Sequence, residues 1–271
     1  MPTHICCYSG GHSSAISAIE VRRRFPNDEV LLVNHDIIGR SESPDIKRFK
    51  QEVADYLSLP ITYVNMPGWD TKDQFDVVIE AKAFKVGNGT ALCTNRLKTR
   101  PFEEWLRRFH SPSSVTIYYG FDSNEQDRIT RRSTILGLMG FRTDYPVALW
   151  SPRTIYTTEE IGILRPNTYE QFKHANCIGC LKAGRQHWYC VFCLRPDVWA
   201  KAKIAEDEIG YTIIKGVSLD ELEPLFIQMR EAGVIPTEHI PPAKFWADAK
   251  KRIKGLQITE DSNPKPCECA C

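Results

Sequence analysis

The stretch His4-Ile5-Cys6-Cys7-Tyr8-Ser9-Gly10-Gly11-His12-Ser13-Ser14 decides the fold. Its first five residues form an apolar run, which predicts a strand with Cys6 and Cys7 in the core. Residues 14–25 then place apolar side chains at helical spacing. Glycines let a backbone approach a ligand closely, and the unpaired first amides of a helix attract anions. The sequence therefore predicts an anion site at a strand-to-helix turn, with an ordinary turn as the alternative.

The first 150 residues alternate between short apolar runs and amphipathic stretches. Further strands are predicted at residues 29–38, 59–65, 115–119 and 147–150. Helices are predicted at residues 44–57, 72–84, 101–109 and 128–139. This alternation predicts an α/β fold, in which a parallel, twisted, Rossmann-like sheet carries helices on both faces. Residues 1–150 are expected to form one such domain.

The pattern changes after residue 150. Prolines and clustered cysteines interrupt the alternation, so residues 151–215 are expected to form a small, irregular, cysteine-rich insert. C-terminal helices are predicted within residues 216–258, at 220–232 and 242–254. Residues 259–271 are polar and end in Cys267-Glu268-Cys269-Ala270-Cys271, which we interpret as a mobile tail.

The composition is that of a soluble globular protein, with 42% hydrophobic and 25% charged residues. A net charge of +1 does not point to nucleic acid or to an anionic membrane. The chain has no apolar run near the roughly 18 residues that span a bilayer and no signal-peptide pattern, so a cytoplasmic protein without membrane contact is expected. Ten cysteines in such a reducing compartment indicate metal or redox chemistry.

Four of the cysteines form two Cys-x-x-Cys pairs, Cys177 with Cys180 and Cys190 with Cys193. This spacing is common in metal sites, and four thiolates suit a tetrahedral zinc ion. The residues alone therefore predict a zinc-binding segment, with buried thiols that hold no metal as the alternative.

Three further segments stand out beside the loop at residues 9–14. They are Cys93-Thr94-Asn95-Arg96-Leu97-Lys98 before Pro101, Tyr119-Gly120-Phe121-Asp122 through Arg128, and Asn176-Cys177-Ile178-Gly179-Cys180-Leu181-Lys182-Ala183-Gly184 with Trp188. The loop is similar to the Ser-Gly-Gly-x-x-Ser loop of the PP-loop superfamily, which binds pyrophosphate. Together with the loop, the three segments resemble the family of phosphoadenosine phosphosulfate (PAPS) reductase-like proteins within that superfamily, and the last of them is similar to a cysteine motif of phage and mobile-element members. Many members of the superfamily carry Asp or Lys where this chain has His12, so the reaction stays open.

The resemblance implies that an adenine nucleotide, ATP or PAPS, binds at the carboxyl edge of the sheet. The phosphate ligands would be Ser9, Gly10, Gly11, His12, Ser13 and Ser14, and His12 is also a candidate catalytic residue. The second predicted strand ends with three candidates for contacts with the base or ribose, namely Asn34, His35 and Asp36.

Four basic residues are candidate ligands of phosphate or sulfate, because lysine and arginine side chains both bind oxyanions. They are Lys98, Arg128, Arg131 and Arg132. The alternative for each basic residue taken singly is that it lies on a solvent-exposed helix face and binds no anion. The resemblance also leaves open whether Mg²⁺ binds together with the nucleotide.

The family positions also imply a rival metal-ligand set, made of Cys93, Cys177 and Cys180. Three cysteines on a 4Fe-4S cluster leave one iron open. Related sulfur-inserting enzymes use such an iron to hold a sulfur atom or to activate a carbonyl oxygen. An iron–sulfur cluster is therefore the expected cofactor, with zinc as the alternative.

Three functions follow from the resemblance and the cysteines. The first is sulfur transfer of the ATP-pyrophosphatase type, in which the enzyme adenylates a second substrate and sulfur then replaces the adenylate. The second is reduction of PAPS or adenylyl sulfate to sulfite, with Cys269 as the attacking thiolate. The third is a zinc-stabilised module that binds nucleic acid without catalysis. The expected partner is a sulfur acceptor, such as a nucleic acid or nucleobase, or a thiol reductant; a homodimer stays open.

Overall fold

The computed structural model describes residues 2–85, 91–175 and 177–253. Its five strands are β1 (Thr3–Cys7), β2 (Glu29–Asn34), β3 (Ile61–Tyr63), β4 (Val115–Tyr119) and β5 (Arg142–Asp144). All of them are parallel, in the order β3-β2-β1-β4-β5. The predicted parallel α/β fold is confirmed. The strand order reverses between β1 and β4, and ligands of such sheets bind in the crevice at this point, beyond the carboxyl ends of the strands.

The helices of the described ranges are α1 (His12–Arg24), α2 (Pro44–Leu57), α3 (Gln74–Ala81), α4 (Leu92–Thr94), α5 (Arg100–Phe109), α6 (Gln126–Leu138), α7 (Pro146–Leu149), α8 (Arg185–Leu194), α9 (Pro196–Ile209), α10 (Leu219–Glu231) and α11 (Pro242–Arg252). A π-helical turn, Asn95–Thr99, joins α4 to α5. Three short 3-10 turns lie at Pro112–Ser114, Thr158–Ile161 and Asn167–Glu170.

Helices cover both faces of the sheet, because successive strand residues point to opposite sides. Cys6 and Tyr8 face an apolar cluster that contains the buried sides of α1 and α2. Ile5 and Cys7 face a second cluster, which contains residues of α5 and α6. Both cysteines of β1 are buried, as predicted.

The expected strand at residues 147–150 is wrong. The fifth strand is β5, and residues 146–149 form the short helix α7. Pro146 occupies the first helical turn, where the missing amide hydrogen and the fixed φ of proline favour a helix. A short apolar run cannot be distinguished from a short buried helix by periodicity alone, which explains the error.

The cysteine-rich stretch is also more regular than the sequence suggests. Helices α8 and α9 occupy residues 185–209, and Pro196 begins α9 instead of interrupting it. They share one apolar cluster with α3, α10 and α11, to which Trp188, Phe75 and Phe226 contribute. The C-terminal helices therefore pack against helix α3 of the first 150 residues through a common core. None of the described helices has both the length and the hydropathy needed to cross a membrane.

Candidate functional site at the carboxyl edge of the sheet

The loop after β1 makes a tight turn into α1. Gly10 has φ +79°, which an L side chain rarely adopts. Helix α1 begins at His12 without a side-chain cap at Gly11. The Ser14 hydroxyl donates to the Gly11 carbonyl at 2.8 Å, and the Ser9 hydroxyl donates to the Ser14 hydroxyl at 3.1 Å. The two serines therefore fix the loop from within.

The first amides of α1 point into this turn. The first helical hydrogen bond joins the Ala15 amide to the Gly11 carbonyl at 3.1 Å. The amides of Ser13 and Ser14 have no hydrogen-bond partner among the described residues. The His12 amide donates to the Tyr169 hydroxyl at 3.1 Å. Such amides at a helix start form an anion site together with the helix dipole.

The end of β4 lies directly against the same turn. A Cβ atom on Gly120 would lie 2.5 Å from backbone atoms of Ser13 and Ser14. No L side chain fits in that space, so only glycine lets β4 and the start of α1 approach this closely. The loops at residues 9–14 and 120–125 therefore meet at the point where the strand order reverses.

His12 points away from the sheet towards the segment after α7. Its Nε2 atom accepts a hydrogen bond from the Thr158 amide at 3.3 Å and lies 4.0 Å from a Glu159 carboxylate oxygen. Burial and the nearby Arg165 charge lower the pKa of His12, while Glu159 opposes them. A neutral imidazole that accepts a hydrogen bond from an amide suits a structural contact. The structure therefore gives His12 a partner in this segment and leaves its predicted catalytic role untested.

A buried polar network supports the loop from behind. The Lys50 ammonium donates to Glu42 at 2.8 Å and to the Asn34 side chain at 3.0 Å. Asn34 in turn donates to the Tyr8 carbonyl, and the Tyr8 hydroxyl donates to the Lys50 carbonyl at 3.1 Å. A Cβ atom on Gly10 would lie 2.8 Å from the Lys50 side chain. The network thus joins the ends of β1 and β2 to α2 beneath the loop.

Sequence reasoning missed Glu42 and Lys50. Lys50 lies on the buried face of α2, beside Phe49 and Val53. A lysine within the apolar stripe of an amphipathic helix is the signal that could have identified it, since buried lysines need a partner. Burial lowers the pKa of Lys50 and raises that of Glu42, although the two groups attract each other.

The residues that follow β2 occupy two different environments. The amide of Asp36 donates to the Asn65 side chain, which donates back to the Asp36 carbonyl, both at 2.8 Å. The Asp36 carboxylate accepts from Lys47 at 2.7 Å and stays partly exposed. His35, in contrast, is buried. Asp36 is therefore the accessible polar group at this strand end.

Burial, together with the charges of Lys98 and Lys50, lowers the pKa of His35 from 6.5 to about 3. The unfolded chain takes up a proton on this ring below pH 6.5, whereas the folded protein does not. We therefore expect the free energy of unfolding to decrease as the pH falls from 6.5 towards 3, by up to about 1.4 kcal/mol per pH unit from this residue. Urea titrations of the wild type and His35→Gln across this range would measure it. Equal slopes in the two proteins would contradict the assignment.

The predicted basic ligands separate into two groups. Lys98 lies in the π-helical turn, and its charge acts on both His35 and Glu42, which places it near the buried network. Arg128 lies at the start of α6, forms an ion pair with Glu125 and stacks 4.2 Å from the Phe121 ring centre. Arg132 is buried, 5.7 Å from the Tyr119 ring centre. The two arginines thus lie on α6, beyond the end of β4.

The five predicted metal ligands lie on three separate parts of the chain: Cys93 on α4, Cys177 and Cys180 in the turn before α8, and Cys190 and Cys193 on α8. Cys190 on this helix is fully buried. Burial raises the pKa of both α8 thiols. Within the described ranges, no three His, Cys, Asp or Glu side chains are grouped so that they could hold a metal ion. The iron–sulfur and zinc assignments therefore stay predictions.

Cys177 and Cys180 lie in a turn that other residues hold firmly. Gly179 has φ +75°, and a Cβ atom there would lie 2.6 Å from Val198. The Nε2 atom of His187 accepts from the Gly179 amide at 3.2 Å and from the Cys180 amide at 3.3 Å. Its Nδ1 atom lies 2.6 Å from the Glu238 carboxylate. Both ring nitrogens of His187 are therefore already engaged, and His187 positions the turn that carries Cys180.

The chain matches no model of a known protein family and no characterised protein. Cys269 and the rest of the tail lie outside the described residues. The candidate site therefore rests on the loop, the strand ends and the buried network.

Proposed function

We propose that the protein binds an adenine nucleotide at the carboxyl edge of its sheet, with the phosphates at residues 9–14. The observation that carries this proposal is the position of the Ser13 and Ser14 amides. They have no partner in the described ranges, they begin a helix, and they lie where the order of a parallel sheet reverses. Asp36, fixed by Asn65, is the group at the end of β2 that can contact the ribose or base.

For the reaction, we propose sulfur transfer that depends on ATP. The loop would hold the pyrophosphate of ATP while the α-phosphate is attacked by a carbonyl oxygen of the second substrate. Pyrophosphate then leaves. A hydrosulfide-level sulfur nucleophile from a separate sulfur donor attacks the adenylated carbon and expels AMP, which leaves a carbon–sulfur double bond in place of the carbonyl. The sulfur acceptor is an anionic or nucleobase-like substrate in this proposal, because Arg128 and Arg131 lie on the helix that follows β4.

Thiol-dependent reduction of PAPS or adenylyl sulfate is the second candidate. The feature that favours it is the C-terminal thiol Cys269, which follows Glu268 and could act as the attacking nucleophile. A thiolate would attack the sulfate sulfur and release the nucleotide, and a second thiol would then release sulfite. Pyrophosphate formed from ATP, against sulfite formed from PAPS with a dithiol, distinguishes the two reactions. Salt-dependent binding of RNA or DNA with neither product would instead favour a nucleic-acid-binding module.

A pair of substitutions at Ser13 tests the nucleotide site. Ser13→Glu places a carboxylate in the first turn of α1, where an acid suits the helix dipole and the fold should persist. Its charge should repel phosphates and weaken ATP binding at least about tenfold. Ser13→Gln has the same size without the charge and is the matched control. Equilibrium dialysis with labelled ATP measures both, and equal affinities for the two variants would place the phosphates elsewhere.

A further inference from the structure

Tyr169 covers the start of the phosphate loop. It lies in the 3-10 turn Asn167–Glu170, and its hydroxyl accepts a hydrogen bond from the His12 amide at 3.1 Å. A Cβ atom on Gly11 would lie 3.4 Å from the same hydroxyl oxygen. The phenol oxygen therefore already accepts the hydrogen bond that the amide of the first residue of α1 can donate, and it lies close to the glycine turn.

This contact conflicts with a phosphate in the same place. A phosphate at a helix start takes its hydrogen bonds from the amides of the first turn, and the His12 amide is the first of them. One amide hydrogen cannot serve a phenol oxygen and a phosphate oxygen at full strength. Burial raises the pKa of Tyr169, so its hydroxyl is neutral at physiological pH and does not replace the negative charge of a phosphate.

The segment that carries Tyr169 contacts the rest of the protein through hydrogen bonds and through two buried apolar side chains, Ile163 and Phe172. We call residues 157–175 the strap. The Thr158 amide donates to His12 at 3.3 Å, and the Asn167 amide donates to Asp45 at 2.6 Å. His239 lies 2.6 Å from the Tyr169 carbonyl, and the Glu238 amide donates to the Gln171 carbonyl at 2.8 Å. Each of these hydrogen bonds contributes little, and the turn Asn167–Glu170 lies between Ile163 and Phe172, so this turn can leave the loop while both apolar side chains stay in the core.

We infer that Tyr169 competes with nucleotide phosphates for the His12 amide, and that binding of a phosphate displaces the turn Asn167–Glu170 from the loop. This inference rests on the proposed nucleotide site. Tyr169 thus sets the affinity of the site, because part of the binding free energy is used to break the contact with His12. A protein without the hydroxyl binds phosphates more tightly.

Isothermal titration with inorganic pyrophosphate and with ATP tests the inference. Tyr169→Phe removes only the hydroxyl, and one neutral hydrogen bond corresponds to about two- to tenfold tighter binding. His239→Ala loosens the strap from its other side and should also tighten binding. Tyr156→Phe is the matched control, since Tyr156 is exposed and contacts Arg153 instead of the loop. Hydrogen exchange of residues 166–175 should become faster when pyrophosphate is added.

The outcomes separate the inference from the proposed function. Unchanged or weaker binding by Tyr169→Phe, with wild-type binding intact, overturns the inference and leaves the nucleotide site in place. Weaker binding would mean that the hydroxyl donates to the phosphate. Absence of binding by the wild type and by Tyr169→Phe overturns both.

Discussion

Replacement of Gly120 by alanine should destabilise the protein strongly and abolish nucleotide binding. The new Cβ would lie 2.5 Å from backbone atoms of Ser13 and Ser14, which cannot rotate away as a side chain can. Relief requires the end of β4 to move from the start of α1. Overpacking of this kind costs about 1 to 3 kcal/mol, and backbone contacts belong to the upper end of that range. Urea denaturation and ATP dialysis measure the two effects.

Gly137 provides the control for this substitution. It lies in α6 with no atom within 4 Å of its Cβ position. Alanine there should leave binding unchanged and stabilise the helix, by roughly 0.5 to 1 kcal/mol. If Gly120→Ala were as stable as Gly137→Ala, the close approach of β4 and α1 would be wrong.

Glu42→Gln should destabilise the protein by about 3 to 5 kcal/mol. The side chains of Glu42 and Lys50 are both buried, and their ion pair lies under Gly10. Glutamine keeps the size and an acceptor oxygen but leaves the Lys50 charge without its counterion in a dry environment. Because the Lys50 stem supports the loop, the variant should also lose ATP affinity. The free energy of unfolding from urea titration is the direct readout.

Two comparisons make this result specific. The double variant with Lys50→Met should recover most of the lost stability, since it removes the uncompensated charge. Glu104→Gln breaks the exposed pair between Arg100 and Glu104 and should cost at most about 1 kcal/mol. Similar losses for Glu42→Gln and Glu104→Gln would contradict a buried ion pair beneath the loop.

The sequence predicts the sheet well because its strands are short apolar runs with turn residues between them. The loop after β1 was predictable for the same reason, since Gly10 and Gly11 separate an apolar run from a helical pattern. The strand at 147–150 was wrong because a four-residue apolar stretch has no decisive periodicity. Helices α8 and α9 were missed because their cysteines and Pro196 were interpreted as irregular structure.

The site was less predictable than the fold, because it depends on contacts between distant segments. Tyr169 accepts a hydrogen bond from the His12 amide, although the two residues are 157 positions apart in the sequence. Glu42 and Lys50 are close in sequence, yet their link to Asn34 and to Gly10 needs the folded sheet. The closeness of Gly120 to Ser13 follows from the reversal of strand order, which no local pattern encodes.

The central claim is that nucleotide phosphates bind the amides at the start of α1. The most direct measurement is a titration of isotopically labelled protein with inorganic pyrophosphate, followed by the amide NMR resonances of His12, Ser13 and Ser14. The account predicts large, saturable shifts for these three amides, at the same dissociation constant as ATP shows in dialysis. Saturable shifts elsewhere in the protein, with these three unchanged, would contradict it.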